Sequence, residues 1–272
     1  MPAPPQPLLL LSSRPWNVGL PDRLCVALER PVHTIGKPAA LQLEAVAALD
    51  PEWIFVPHWS HLIPEAIWSR WPTVIFHMTD LPFGRGGSPM QNLIQRGHSS
   101  TMLTALRCSA ELDAGPIYLK EPLSLQGSAE EIFLRADALI EAMIAGIVRE
   151  QPEPQPQQGE PVLFSRRKPE QSNLEVCPRG DLLACYDQIR MLDAEGYPHA
   201  FLEAHGLRLE FRRVSRRSDG LYADVRITRL NSNLSSPPPR QRRLLKASRG
   251  WPDRHAAPSP DLAARATAWR AG

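Results

Sequence analysis

A chain of 272 residues with 43% hydrophobic and 22% charged content reads as an ordinary soluble protein, one large domain or a domain with an appendage. Its formal net charge of +2 says nothing of partners until the charges are placed along the chain. No apolar run approaches the ~20 residues that span a bilayer, and Leu8–Leu11, with no basic residue before it, is too short for a signal-peptide core. Cys25, Cys108, Cys177 and Cys185 show no CxxC spacing and read as reduced thiols. The expectation is a cytoplasmic protein with no membrane association.

Leu8–Leu11, followed by Ser12–Ser13, predicts a short buried first strand. Leu20–Glu29 and Ala40–Leu49 carry helical spacing. Trp53–Val56 is an apolar run ended by Pro57 and predicts a buried strand; Pro64–Arg70 opens like a helix. Thr73–Phe76 is the next strand and delivers His77 to its carboxyl end. Pro89–Gly97 reads as a helix, Thr101–Arg107 and Ile117–Leu119 as strands. Ser128-Ala-Glu-Glu131 is a capping box, and Ile132, Ala136, Ile140, Met143 and Ile147 then repeat at helical spacing. Strands alternating with helices imply an α/β sheet whose ligands bind outside the carboxyl ends of its strands.

Residues 151–160 begin with the polar, proline-rich QPEPQPQQG and read as a linker. A helix from about Asp181 to Leu192 and a hairpin from Leu207–Phe211 and Leu221–Ile227 follow. From Arg240 to Gly272 eight basic residues face only Asp253 and Asp261, among few aliphatics, which predicts a disordered extension. The expected division is 1–150 for the catalytic domain, 151–160 for a linker, 161–230 for a small C-terminal subdomain and 231–272 for a basic Pro/Arg-rich tail.

Two segments carry the chemistry. His77 sits after the apolar run Val74–Phe76 and before a turn-rich Asp80-Leu81-Pro82 and Gly84-Arg85-Gly86-Gly87. Asp113 precedes a second tight turn, Ala114-Gly115-Pro116. An imidazole at a strand end and a carboxylate in a loop are the two parts of a proton-transfer pair, and the 36 residues between them leave room for a helix. Taken singly, His77 is more often a packed histidine and Asp113 a turn former. His58 and His61 lack a nearby third ligand, so no metal site is expected.

Ile75-Phe76-His77-Met78-Thr79-Asp80-Leu81-Pro82 with Arg85-Gly86, then Leu112-Asp113-Ala114-Gly115, resembles the formyltransferase family. There a strand ends in Asn-x-His, followed by Ser-Leu-Leu-Pro and an Arg-Gly turn, with a Leu-Asp-x-Gly turn later. Phe55–Pro64 is similar to the family's strand and loop beside the pterin, and Lys168–Asn173 with Tyr186–Pro198 resembles the C-terminal appendage of its sugar-amine members. The resemblance implies a mostly parallel formyltransferase-like sheet flanked by helices, with a small C-terminal α+β subdomain. It implies 10-formyltetrahydrofolate as co-substrate, bordered by Pro57, His58, Trp59, Ser60, Thr79, Asp80, Leu81, Pro82 and Leu112. His77 would stabilise the developing oxyanion, and Asp113 would orient water and His77 and help remove the amine proton. Arg85, Lys120 and Arg190 are the candidates for an anionic substrate group.

One departure stands out. Ile75 occupies the family's asparagine position and cannot donate a hydrogen bond; losing an oxyanion donor typically costs ~10²–10³ in rate. Thr79, His58 and Asn92 are the residue types available to replace it. The expected acceptor is a small primary amine, a nucleotide-linked amino sugar ahead of methionyl-tRNA, because a full tRNA-binding barrel exceeds the ordered residues left after Gln158. The alternatives are methionyl-tRNA formylation, hydrolysis of formyl-tetrahydrofolate, and a disabled formyltransferase-like binding protein.

Overall fold

The computed structural model describes residues 5–230, which belong to one compact unit. The expected basic tail at 231–272 lies outside the described residues. A six-stranded sheet contains β1 (Leu8–Ser12), β2 (Val32–Ile35), β3 (Trp53–His58), β4 (Thr73–His77), β6 (Ser100–Arg107) and β7 (Ile117–Ser124), in the order β2-β1-β3-β4-β6-β7. The first four are mutually parallel; β6 and β7 close the sheet antiparallel. The mostly parallel α/β sheet expected from the sequence is the one found.

The four leucines of β1 show why this strand lies inside the sheet, between β2 and β3. Leu8 and Leu10 join one core cluster while Leu9 and Leu11 join another, so alternate side chains enter opposite layers. A strand covered on both faces needs an unbroken apolar run, and each buried leucine contributes roughly 1.5–3 kcal/mol. The larger layer is built on α5 (Ala129–Glu150), which packs beside α1 (Leu20–Leu28) and buries Ile132, Phe133, Ile140, Ile144 and Ile147. Its start is fixed by the expected capping box: Ser128 Oγ accepts from Glu131 N, and Glu131 returns a carboxylate to Ser128 N at 2.7 Å. The opposite layer uses Val46 of α2 (Leu43–Leu49) and Ile67 of α3 (Glu65–Trp68).

The structure departs from the sequence expectation at the edges. Strand β2, VHTI, is half polar because it is a sheet edge. Strand β7 runs on to Ser124 through Pro122, which an edge strand tolerates. Part of the segment read as a turn forms β5 (Phe83–Gly86), which pairs in parallel with β8 (Val162–Phe164), and the expected helix after it is α4 (Pro89–Gln95). The expected linker is ordered: Gln155 exchanges both backbone hydrogen bonds with Ile117 at the β7 edge, at 2.7 and 2.8 Å. Beyond it, α6 (Leu182–Arg190) is capped by Asp181, whose side chain accepts from Ala184 N at 2.9 Å. The expected hairpin has a third partner, giving a sheet of β9 (Ala200–Ala204), β10 (Leu207–Arg217) and β11 (Gly220–Arg229). Ile189, Met191, Leu192 and Ala200 share a hydrophobic cluster with the central sheet. No helix among the described residues is long and apolar enough to cross a membrane.

Candidate active site

Because β1, β3 and β4 run parallel, their carboxyl ends share one edge of the sheet, where open α/β sheets bind ligands. They deliver Ser12, His58 and His77 there. A cleft of about 510 Å³ lies at this edge, within the range of small-molecule sites.

His77 is buried, with 7% of its surface exposed. Its Nε2 lies 2.8 Å from the Gly84 carbonyl, and a carbonyl only accepts, so Nε2–H donates. The proton-exchanging position is therefore Nδ1, which faces Asp113 Oδ2 at 3.6 Å. Asp113, from the turn between β6 and β7, has φ +51°, a left-handed conformation disfavoured by roughly 1–2 kcal/mol for an L-residue. Hydrogen bonds hold it there. Its Oδ2 accepts from Gly86 N at 2.9 Å, and Gln157 Nε2 donates to the carbonyls of Asp113 (2.8 Å) and Gly115 (2.9 Å). Gln157 Oε1 in turn accepts from Arg85 Nε and Nη2 at 3.1 and 2.9 Å.

Two glycines permit this closeness. A Cβ on Gly115 would lie 1.8 Å from the Arg107 carbonyl oxygen, and one on Gly86 (φ +108°) 2.4 Å from that of Phe164.

His58 forms the next wall. His58 Nδ1 lies 3.1 Å from Trp16 Nε1 and 3.2 Å from Asn17 Oδ1. Trp16 Nε1–H can only donate, whereas Asn17 Oδ1 already accepts from Ser12 Oγ, so with Nδ1 as the acceptor for Trp16 the His58 proton sits on Nε2. Burial, then the positive charge of Arg14, lower the His58 pKa to about 3, so the ring is neutral near pH 7. His58 Nε2 and Trp59 Nε1 are buried donors with no partner among the described residues. Unmet donors beside apolar Val56, Pro57, Met78 and Met90 suit a flat, acceptor-rich heteroaromatic ligand, and the cleft fits a pterin by that measure.

Of the residues singled out from the sequence, the cleft brings together Pro57, His58, Trp59, Ser60, His77, Leu112 and Asp113, with Ile75 among its lining. It does not take in Thr79, Asp80, Leu81 or Pro82. Thr79 is buried, its hydroxyl at 3.4 Å from the Gly84 carbonyl and its own carbonyl accepting from Thr104 Oγ1 at 2.7 Å. Leu81 is in the core, the Pro82 carbonyl accepts from Val162 N, and exposed Asp80 pairs with Lys120. The three cations expected to meet an anion also lie outside the lining, each occupied elsewhere. Lys120 holds Asp80 and the Leu81 carbonyl, Arg85 holds Gln157 and Glu111, and buried Arg190 donates to the Leu125 and Gly127 carbonyls and to Asp187. Arg190 thus anchors α6 to the loop before α5. Of the three suggested substitutes for the family asparagine, Asn92 spends its amide on the carbonyls of Gly87, Ser88 and Ser165, and Thr79 faces Gly84. His58 alone keeps an uncommitted N–H.

Sequence reasoning missed Arg14, Phe133, Arg166 and Tyr197 in the lining, and Gln157 behind Asp113. Arg14 was within reach, since it lies two residues past the carboxyl end of β1. Gln157 gave no signal inside a segment with the composition of a linker.

Two family models match this chain: "Formyl transferase" over residues 36–131 and "Methionyl-tRNA formyltransferase, C-terminal domain" over 169–228. A solved structure of "Methionyl-tRNA formyltransferase from Clostridium thermocellum" is 42% identical, with a TM-score of 0.80, and the match covers 83% of this chain and 100% of that one. The chain belongs to the formyltransferase family. The "Methionyl-tRNA formyltransferase" of Gluconobacter oxydans is 28% identical over 159 residues, 52% of each chain. This formyltransferase-family chain spans about half, or less, of the length of the curated relatives it matches. HypX from Aquifex aeolicus, solved in complex with tetrahydrofolic acid, shares the fold at 20% identity and a TM-score of 0.61, over 78% of this chain and 38% of that one.

Proposed function

We propose that this protein transfers a formyl group from 10-formyltetrahydrofolate to a primary amine. The observation that carries the reading is the convergence of His77 and Asp113, distant in sequence, on one cleft at the strand ends. When bound, the folate would supply the activated formyl group, and Pro57, His58 and Trp59 would border its pterin. With His77 Nε2–H committed to Gly84, the Nδ1–Asp113 pair is placed to accept the proton that the attacking amine gives up. Both side chains are buried except where they meet the cleft, which keeps the pair largely out of bulk water.

The acceptor we favour is methionyl-tRNA. The Clostridium thermocellum protein of that name matches along its whole length, so a short C-terminal region is no argument against such a substrate. The nucleotide-linked amino sugar expected from the sequence is the competing acceptor.

The test incubates purified protein with 10-formyltetrahydrofolate and, separately, methionyl-tRNA, a nucleotide-linked amino sugar and water alone. Formyl-methionyl-tRNA formed by wild type and lost in His77→Ala and Asp113→Ala is the expected result. Formylation of the sugar instead would reassign the acceptor, donor hydrolysis alone would mark a hydrolase, and folate binding without turnover would mark a disabled binding protein.

A further inference from the structure

We infer that Arg14 and Arg166 form a phosphate-binding subsite at the β1 end of the cleft, holding a phosphate of the amine acceptor while the amine lies at His77; this rests on the formyl-transfer reading. Seven described arginines (23, 30, 85, 190, 208, 213 and 226) pair with carboxylates. Among the described residues, Arg14 and Arg166 have no carboxylate within ion-pair distance, and both line the cleft. Its one lining carboxylate, Asp113, already faces His77. A cleft with two uncompensated guanidinium groups attracts an anion.

The guanidinium of Arg14 is oriented without being neutralised. It donates to Ser60 Oγ at 3.2 Å and lies over the Tyr197 ring at 5.3 Å and the Trp16 ring at 5.8 Å from their centroids. A stacked, planar fork of this kind keeps its remaining N–H groups available for a phosphate. Arg166, two residues past β8, lines the same cleft and packs so closely over Gly87 that a Cβ there would meet the Arg166 Cβ at 2.5 Å. Arg14, Arg166 and the half-buried Tyr197 line the same cleft, and both positive charges oppose the upward push of burial on the Tyr197 phenol pKa.

The placement sets the ligand's reach. Strands β1 and β4 flank β3, so the β1 end lies two strand spacings, ~10 Å, from the β4 end that carries His77. The ligand class is an amine with a phosphomonoester or phosphodiester about that far from its nitrogen. A folate carboxylate is the other anion that two arginines could hold, and the test separates the two.

Arg14→Gln and Arg166→Gln each raise KM for the phosphorylated acceptor about tenfold or more, the loss expected for one charge-assisted contact, with KM for 10-formyltetrahydrofolate unchanged. Arg166 is exposed, so its variant reads the subsite without disturbing the fold. A nucleoside 5′-monophosphate is the independent probe. It binds wild type saturably by calorimetry, competes with the acceptor, and binds each variant at least about tenfold more weakly. A rise in donor KM instead would assign the arginines to the folate and overturn the proposal, as would unchanged acceptor KM or absence of saturable nucleotide binding. Nucleotide binding that depends on both arginines, without formyl transfer to any amine, would leave the subsite standing and refute the transfer reading.

Discussion

Replacing Gln157 with alanine isolates what holds the carboxylate in place. The side chain donates to the Asp113 and Gly115 carbonyls and accepts from two nitrogens of Arg85. Two neutral hydrogen bonds contribute roughly 0.5–1.5 kcal/mol each, and the charged one roughly 1.5–3 kcal/mol. Removing the amide therefore weakens the ordered turn by about 2.5–6 kcal/mol, toward the lower end because Gly86 N and Glu111 still hold Asp113 and Arg85. If the turn must be ordered for proton transfer, kcat falls about 10–100-fold, while KM for the folate, which meets other walls of the cleft, stays near wild type. Gln157→Glu keeps an acceptor for Arg85 but turns a carboxylate toward two carbonyls, so it lowers kcat at least as far. Steady-state formyl-transfer kinetics on both variants, with thermal unfolding to confirm folding, make the measurement. Wild-type kcat in Gln157→Glu would refute the reasoning.

Two further predictions concern other residues of the cleft. Ile75→Asn restores a donor beside His77 and raises kcat about tenfold, short of the ~10²–10³ expected where no donor exists, because His58 already offers an N–H; unchanged or lower kcat would show that the position is not short of a donor. His58 titrates at about 3 when folded and ~6.5 when unfolded, so the unfolded chain binds the extra proton between those values. Its contribution to stability is full above ~pH 6.5 and declines by about 1.4 kcal/mol per unit as pH falls toward 3. Urea unfolding across that range should show this slope in wild type and not in His58→Phe; equal slopes would exclude His58 as its source.

The parts legible in the sequence were those fixed by local physics. The β1 leucines, the Ser128 capping box and the apolar spacing of α5 each dictate one element regardless of surroundings. The glycine-rich turns showed where the backbone bends, and the structure places their two ends, Gly86 and Gly115, against other strands. Long-range pairing was out of reach. Phe83–Gly86 has the composition of a turn and becomes a strand only because Val162–Phe164 returns beside it. The fate of a cation was equally hidden. Lys120, Arg85 and Arg190 have the right chemistry for an anion, but only the folded chain reveals the carboxylates, carbonyls and amide that claim them. Arg14 and Arg166 are the arginines of the cleft lining, and neither has a carboxylate within ion-pair distance among the described residues.

The central claim is that His77 and Asp113 act as one proton-transfer unit on a formyl acceptor. The most direct measurement is the single-turnover rate of formyl transfer to methionyl-tRNA by Asp113→Asn, which keeps the size and leaves Gly86 N an oxygen to bond. A fall of about 10²–10⁴-fold with the fold intact is the result predicted for loss of a general base. Transfer at the wild-type rate would contradict it.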